Sequence, residues 1–264
     1  MEKISLVITS LNPDDKKLDR LLTSAKGFDE IIVHVDVNSI NTFPNCLAFK
    51  DGVTKVFCPD HLKIEEAYNW IIKNHVKTTW VCLQPDDDYF EEEGLSDMLK
   101  AIRNGEAVDC DVCTFRTFVT GYAPWRDKGS VLAELINRCC APLMRFGVEV
   151  KARRWYGYKG NLTPESIAYQ SNIPHGAFFR KSIWDKVGGM NGSIAHDWIL
   201  WLKMARSGAM FKYFPFIVYV YERREGSAWF RQFKEIAGGS MTKLRQIVDK
   251  EATVNWSNNS QMFK

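Results

Sequence analysis

The stretch Thr79-Trp80-Val81-Cys82-Leu83-Gln84-Pro85-Asp86-Asp87-Asp88 decides how the rest of the chain is read. Residues 79–83 form an apolar run of strand length, and three acids stand where it ends. Carboxylates side by side repel one another unless something positive is near. A hard divalent cation is the usual partner, held by one or two carboxylates and by substrate phosphates. In an open α/β sheet, ligands bind beyond the carboxyl ends of the strands. The triplet therefore reads as a metal–diphosphate site, and a solvated acidic turn is the reading that it would have in isolation.

Working outward, the first half alternates short apolar runs with helix-patterned segments. Residues 4–9, 31–35 and 55–57 read as strands one to three, and 79–83 as the fourth. A helix begins at Pro13-Asp14-Asp15 with Leu18, Leu21 and Leu22 on one face. A second covers 62–76, where Ile64, Ala67, Tyr68, Ile71 and Ile72 recur at helical spacing, and a third follows the acids to about Arg103. Such alternation implies a mostly parallel sheet covered by helices. Residues 108–119 read as a long strand, 129–140 as a helix, and 176–180 as a short strand leading to a helix at Ser182. Another helix opens near His196-Asp197, an aromatic strand spans 212–221, and two helices run towards 250. These readings place one α/β domain at 1–252, with a basic and aromatic insertion at about 120–165 and a polar tail at 253–264.

The chain has 264 residues, 45% of them hydrophobic and 25% charged, ordinary for a globular protein. A net charge of +3 dictates no partner. No apolar run is long enough to span a bilayer, so no stable membrane insertion is expected. The N-terminus enters an apolar strand directly, without a cleavage pattern, and the chain reads as cytoplasmic. Seven cysteines, an odd number in mostly apolar contexts, suit reduced buried thiols. Cys110-Asp111-Val112-Cys113 has C-x-x-C spacing, but within a strand at 108–119 its two side chains would point to opposite faces and could not share a zinc.

Three further constellations accompany the acids. Asp36 ends the second strand, and in a parallel sheet it shares an edge with Asp86; there it reads as a ribose or base acceptor, or as a turn residue. Asp197 falls in the first turn of a helix, where the macrodipole stabilises an acid by about 0.3–1 kcal/mol; it reads as a general base or a simple helix-end acid. Arg223 and Arg224 follow the aromatic strand and offer bidentate donors suited to phosphate, or pair with Glu222 or Glu225 in a solvated turn.

Taken together, these stretches resemble a family 2-type glycosyltransferase with the GT-A fold. The resemblance is carried by Leu6-Val7-Ile8-Thr9-Ser10-Leu11-Asn12 and Glu30-Ile31-Ile32-Val33-His34-Val35-Asp36. It continues in Glu66-Ala67-Tyr68-Asn69-Trp70, where Tyr68 replaces an arginine, and in the acidic triplet. Its most specific part is His175-Gly176-Ala177-Phe178 through Gly188-Gly189-Met190 to His196-Asp197-Trp198-Ile199-Leu200-Trp201-Leu202. The matches cover roughly 4–104 and 173–228. They imply a Rossmann-like, mostly parallel central sheet flanked by helices, with C-terminal helices beyond it.

The resemblance also implies a UDP-linked sugar donor with Mn²⁺ or Mg²⁺. Thr9, Asn12, Asp36, Asn69, Asp86, Asp87, His175, Gly176, Arg223, Arg224 and Ser227 would contact the donor, Asp36 at the uridine and Arg223, Arg224 and Ser227 at the diphosphate. The metal would fall to Asp86, Asp87 or Asp88, one of them directly. The register is open, because in the family's usual spelling Gln84 stands at the first acid. Asp197 matches the base of inverting members, and His196 replaces their glutamate.

For the acceptor, His196, Trp198, Arg153, Arg154 and Trp155 are the candidates. The run Arg145, Lys151, Arg153, Arg154, Trp155, Tyr156, Tyr158 and Lys159 combines cations with rings that could stack on bases. That combination points to a DNA-modifying transferase acting on a hydroxymethylated base, flipped from the duplex, in a phage-infected host. A cell-surface polysaccharide or teichoic-acid-like acceptor is the alternative. A nucleotidyltransferase is a further reading, although Thr9-Ser10-Leu11-Asn12-Pro13 is not a glycine-rich phosphate loop; an inactive sugar-nucleotide-binding module is another.

Overall fold

The computed structural model describes residues 1–10, 14–36, 52–57, 61–121, 162–170, 173–192, 194–223 and 228–253, with the side chains at 119–121, 222–223 and 228–232 excepted. The expected helix at 129–140, the basic and aromatic residues at 145–159, Asn12, Arg224, Ser227 and most of the polar tail lie outside the described residues.

Eight strands form one sheet: β1 (Ile4–Ser10), β2 (Glu30–Val35), β3 (Val53–Phe57), β4 (Trp80–Pro85), β5 (Tyr89–Phe90), β6 (Val112–Gly121), β7 (Phe178–Arg180) and β8 (Phe211–Arg223). Their order is β3-β2-β1-β4-β7-β6-β8-β5. β1, β2, β3 and β4 are parallel, β7 runs antiparallel to both β4 and β6, β6 and β8 are parallel, and β5 is antiparallel to β8. Six strands therefore point one way, and the mostly parallel sheet expected from the alternating pattern is present.

Period-two alternation along the strands divides the core into two layers. Val7, Ile32, Val81 and Leu83 face one layer with helices α2 (Ile64–Asn74), α4 (Pro164–Tyr169), α5 (Lys181–Val187), α6 (His196–Arg206) and α8 (Met241–Glu251). Leu6, Ile8, Val33, Val35 and Cys82 face the other with α1 (Asp15–Ser24) and α3 (Glu92–Arg103). One more helix, α7 (Ala228–Ala237), follows β8. The expected face of α1 is the buried one, Leu18, Leu21 and Leu22, and Asp14 caps the helix by accepting from the Lys16 and Lys17 amides.

Where the observed elements differ from expectation, local chemistry explains it. β6 begins at Val112, because residues 104–110 turn: Gly105 adopts φ +84°, and the amides of Val108 and Cys110 donate to Gly105 and Ala107. Cys110 thus precedes the strand, and its sulfur lies 3.6 Å from that of Cys113. The expectation that these side chains point apart is corrected. β8 carries Pro215 in its interior, at the break in register between Thr114↔Tyr213 and Arg116↔Ile217. A proline has no amide to donate, so a bulge is where a strand can hold one. The two-residue β5 and the single-turn α4 had no periodic signal long enough to announce them.

α3 lies directly on β8 at Gly94. A Cβ there would stand 1.9 Å from the Ile217 carbonyl oxygen. Helix propensity alone favours Gly94→Ala by up to about 1 kcal/mol, whereas overpacking costs about 1–3 kcal/mol. The contact is with backbone, which cannot swing aside. Gly94→Ala is therefore expected to lower unfolding free energy by about 2 kcal/mol in denaturant titrations, and a stabilised variant would contradict this packing.

Candidate active site

The parallel strands bring their carboxyl ends to one edge. Ser10 joins the acids there: the Asp36 amide donates to the Ser10 carbonyl at 3.2 Å, and the Ser10 hydroxyl donates to Asp86. Asp36 is 2% exposed, and its Oδ2 lies 2.6 Å from Nδ1 of His61, just beyond β3. Ser10 and His61 were not picked out from the sequence. Ser10 sits beside Thr9 in the first-strand stretch, and His61 has no pattern that singles it out.

Gln84 and Pro85 complete β4, and Asp86 and Asp87 form a turn, both half-buried. Asp88 is 1% exposed and accepts from the Tyr219 hydroxyl of β8. Burial, with Asp88 beside it, holds the Tyr219 phenol well above its usual range, so it remains a donor. Of the three metal-ligand candidates, Asp88 is the most buried, with Oδ2 accepting from Tyr219. Asp86 and Asp87, hard oxygen ligands at the mouth of the edge, suit a Mg²⁺ or Mn²⁺ ion completed by substrate phosphates and water. Among the described residues no group of three or more His, Cys, Asp or Glu converges as a self-sufficient metal cage.

β7 runs against β4, so the residues before it return to the same edge. His175 Nε2 lies 3.3 Å from the Tyr68 hydroxyl on α2. Burial lowers the His175 imidazole, with His196 acting in the same sense, while the carboxylates of Asp197 and Asp87 oppose it. One side chain is thus in electrostatic reach of both the acidic turn and the acid that opens α6. Gly176 packs close to β4 and β8: a Cβ there would lie 2.7 Å from Gln84 Oε1 and 3.6 Å from the Tyr219 ring.

Asp197 stands half-buried in the first turn of α6, after Ala195 with φ 54° and ψ 47°. A left-handed alanine costs about 1–2 kcal/mol, so the surroundings must hold it. The loop before it is clamped from two sides. Asn69 donates to the Met190 carbonyl at 2.7 Å and accepts from the Met190 amide at 2.8 Å. Lys203 Nζ donates to the Gly189 carbonyl at 2.8 Å and to Asn191 Oδ1 at 2.7 Å. Asn69, a donor candidate from the sequence, thus spends both ends of its amide on the loop.

His196 Nε2 lies 3.9 Å from Glu65 Oε2 on α2, which places beside the histidine a carboxylate that no sequence motif singles out. Trp198 is corrected as an acceptor candidate: it is buried, and its indole donates to the Ile167 carbonyl at 2.5 Å. It turns inward because the apolar face of α6 packs on α4. Arg223 is the last residue of β8, opposite Gly121 at the same edge. Arg153, Arg154 and Trp155 lie outside the described residues.

A mostly parallel sheet with an antiparallel β7 inserted beside β4, and acids gathered at the β1–β2–β4 edge, is the GT-A glycosyltransferase fold. Solved structures of S. aureus TarS, a family 2 GT-A glycosyltransferase, share it. TarS 1–349 in complex with UDP-GlcNAc aligns with a TM-score of 0.59 and 16% identity over 86% of this chain and 60% of that one. TarS 1–349 in complex with UDP aligns at 0.58 and 14% identity, over 94% of this chain and 65% of that one. The longer TarS structure aligns at 0.53 and 15% over 97% of this chain and 44% of its own length. The chain thus spans less than two thirds of the TarS chains it resembles. Its sequence matches no protein-family profile and no curated protein sequence.

Burial pushes the Lys203 ammonium down to about 8, from an unfolded value of about 10.4. A depressed folded value means that this group's share of stability is complete above about 10.4 and is lost as pH falls towards 8. Relative to Lys203→Met, the wild type should therefore gain about 3 kcal/mol between pH 8 and 10.5. Urea titrations of both proteins across that range measure the difference. A constant difference would mean that Lys203 is not held in a desolvated site.

Proposed function

We propose that this chain transfers a sugar from a UDP-linked donor to an acceptor hydroxyl, with inversion at the anomeric carbon. The observation that carries the proposal is the joining of Asp36, Ser10 and Asp86 at the carboxyl ends of β2, β1 and β4 on a GT-A framework, with Asp197 in the first turn of α6. A donor bound over Asp36 and the β4 turn would lie with its reacting carbon towards Asp197. The TarS complexes contain UDP-GlcNAc and UDP, which makes UDP-GlcNAc the first donor to test.

In this reading Asp36 accepts from the uridine, and Asp86 and Asp87 face the diphosphate. A Mn²⁺ or Mg²⁺ ion held there would offset the charge that develops on the departing diphosphate. Arg223, Arg224 and Ser227 add donors on the other side of that group. Asp197 accepts the proton of the acceptor hydroxyl as that oxygen attacks the anomeric carbon from the face opposite the diphosphate, hence inversion. The N-terminus of α6 favours its ionised form. Glu65 and His196 flank the path by which an acceptor reaches Asp197.

Asp197→Asn keeps the shape and removes the base. Turnover of UDP-sugar should fall about 10²–10⁴-fold, while the thermal shift given by UDP-GlcNAc with Mn²⁺ stays at the wild-type value. Near wild-type turnover would refute the base assignment. No thermal shift by any UDP-sugar, with or without Mn²⁺, would refute the donor assignment.

For the acceptor we propose a hydroxymethylated base in DNA, on the strength of the cations and rings at 145–159. Binding to such DNA should fall steeply as salt rises, because each phosphate contact releases counterions. Absent or salt-insensitive binding would transfer the assignment to a surface glycopolymer. No helix among the described residues is long and apolar enough to cross a membrane.

A further inference from the structure

At the opposite edge of the sheet from Asp86 and Asp197, Cys110 and Cys113 face each other with sulfurs 3.6 Å apart. Closing that gap to a bond of about 2.05 Å needs a shift of about 1.5 Å. Both thiols are buried, Cys110 at 4% exposed and Cys113 at 0%, and Cys110 itself belongs to the turn that precedes β6. Its neighbour Val108 is 77% exposed, and the turn amide of Cys110 reaches Ala107 at a long 3.4 Å.

Two cations brace this turn. Arg180 donates to the carbonyls of Cys110, Ala107 and Val108 at 2.9, 3.1 and 3.4 Å, and Lys212 donates to the Glu106 carbonyl at 2.6 Å and to Asp109 at 3.1 Å. These bonds hold 106–110 against β7 and β8, so the thiols become accessible only when that turn gives them up in a local opening, while β6 stays in the sheet.

We propose that Cys110 and Cys113 form a thiol–disulfide exchange site for a small-molecule disulfide of the glutathione type, independent of the sugar-transfer reaction. The Cys110 thiolate attacks one sulfur of the external disulfide, whose other half leaves as a thiolate. Cys113, as thiolate, then attacks the Cys110 sulfur and releases the second half. The external disulfide is reduced to two thiols, which take up the two protons, and the protein dithiol is oxidised to one disulfide.

The order of attack follows from the surroundings. A hydrogen bond from Cys113 lowers the Cys110 thiol, and Lys212 and Arg180 add to this against burial and the charge of Asp109. Burial drives Cys113 well above its usual range. A thiolate at Cys110 is therefore the more accessible nucleophile, and Cys113 the resolving group. Cys82 is the internal contrast. It is fully buried, donates to the Gly176 carbonyl at 3.1 Å, and burial alone raises its thiol.

The experiment equilibrates the native protein with mixtures of glutathione and glutathione disulfide, alkylates the remaining thiols under denaturing conditions, and maps tryptic peptides by mass. Cleavage after Arg103 and Arg116 isolates both cysteines on one peptide with no other cysteine. In the oxidising mixture that peptide should carry neither alkyl group and weigh two hydrogens less than the unalkylated dithiol, and an excess of reduced glutathione should restore double alkylation. Cys113→Ser should trap glutathione on Cys110, whereas Cys110→Ser should take it up on Cys113 at least tenfold more slowly. A wild-type peptide that stays doubly alkylated in the oxidising mixture would overturn the proposal whether or not the variants fold. So would a disulfide joining either cysteine to a residue elsewhere in the chain.

Discussion

The two-point bond between Asn69 and the Met190 backbone, with Lys203 beneath it, is the constraint on which the site depends. One partner sits on a helix of the first half of the sheet, and the other on a loop reached only after the chain has crossed to β7. The loop contains Gly189 at φ +75°, where a Cβ would stand 2.2 Å from Asn69 Oδ1. Only a glycine lets the amide approach so closely. With the loop pinned, Ala195 is held left-handed and α6 starts at a defined place, which fixes Asp197 in its first turn. An amide and a buried lysine thus do the positioning, without any role in proton transfer.

The acidic triplet poses an electrostatic problem, and the fold answers it by sending its members to different partners. Ser10 donates to Asp86 and Tyr219 to Asp88. Each hydroxyl offsets part of the cost of a carboxylate without adding a positive charge that would compete with an incoming ion. Ser10 also accepts the Asp36 amide, so the nucleoside and diphosphate ends of the edge share one residue.

Much of this was legible in the sequence. The strands β1, β2, β4 and β8 and the helices α1, α2, α3 and α6 carry long, regular apolar patterns. The acids at the ends of β2 and β4 were found because strand ends in a parallel sheet share an edge. What was not legible depends on tertiary contacts. Nothing in the spelling Asp86-Asp87-Asp88 says that Tyr219, 131 residues on, takes the last of them. Trp198 looks like an aromatic acceptor platform beside Asp197, but helical geometry turns it towards Ile167. Glu65 and His61 have no local motif, and only the packing of α2 and the end of β3 brings them to the edge. The C-x-x-C pair was misjudged because a turn takes the place of the first four residues of the expected strand, which begins at Val112 and not at 108.

The antiparallel β7 has a consequence for how the chain is made. β1 through β4 form a complete parallel half-sheet whose residues all emerge from the ribosome before Asp86. The outer edge of β4, however, pairs with β7 through Trp80↔Arg180, a separation of 180 − 80 = 100 residues. Until those residues are translated, a strand of Trp, Val, Cys and Leu presents unpaired backbone groups in a partly folded chain. Such an edge invites pairing with another nascent copy. The three residues of β7 close that window, so the last step in securing the half-sheet is also the step that delivers His175 to its place.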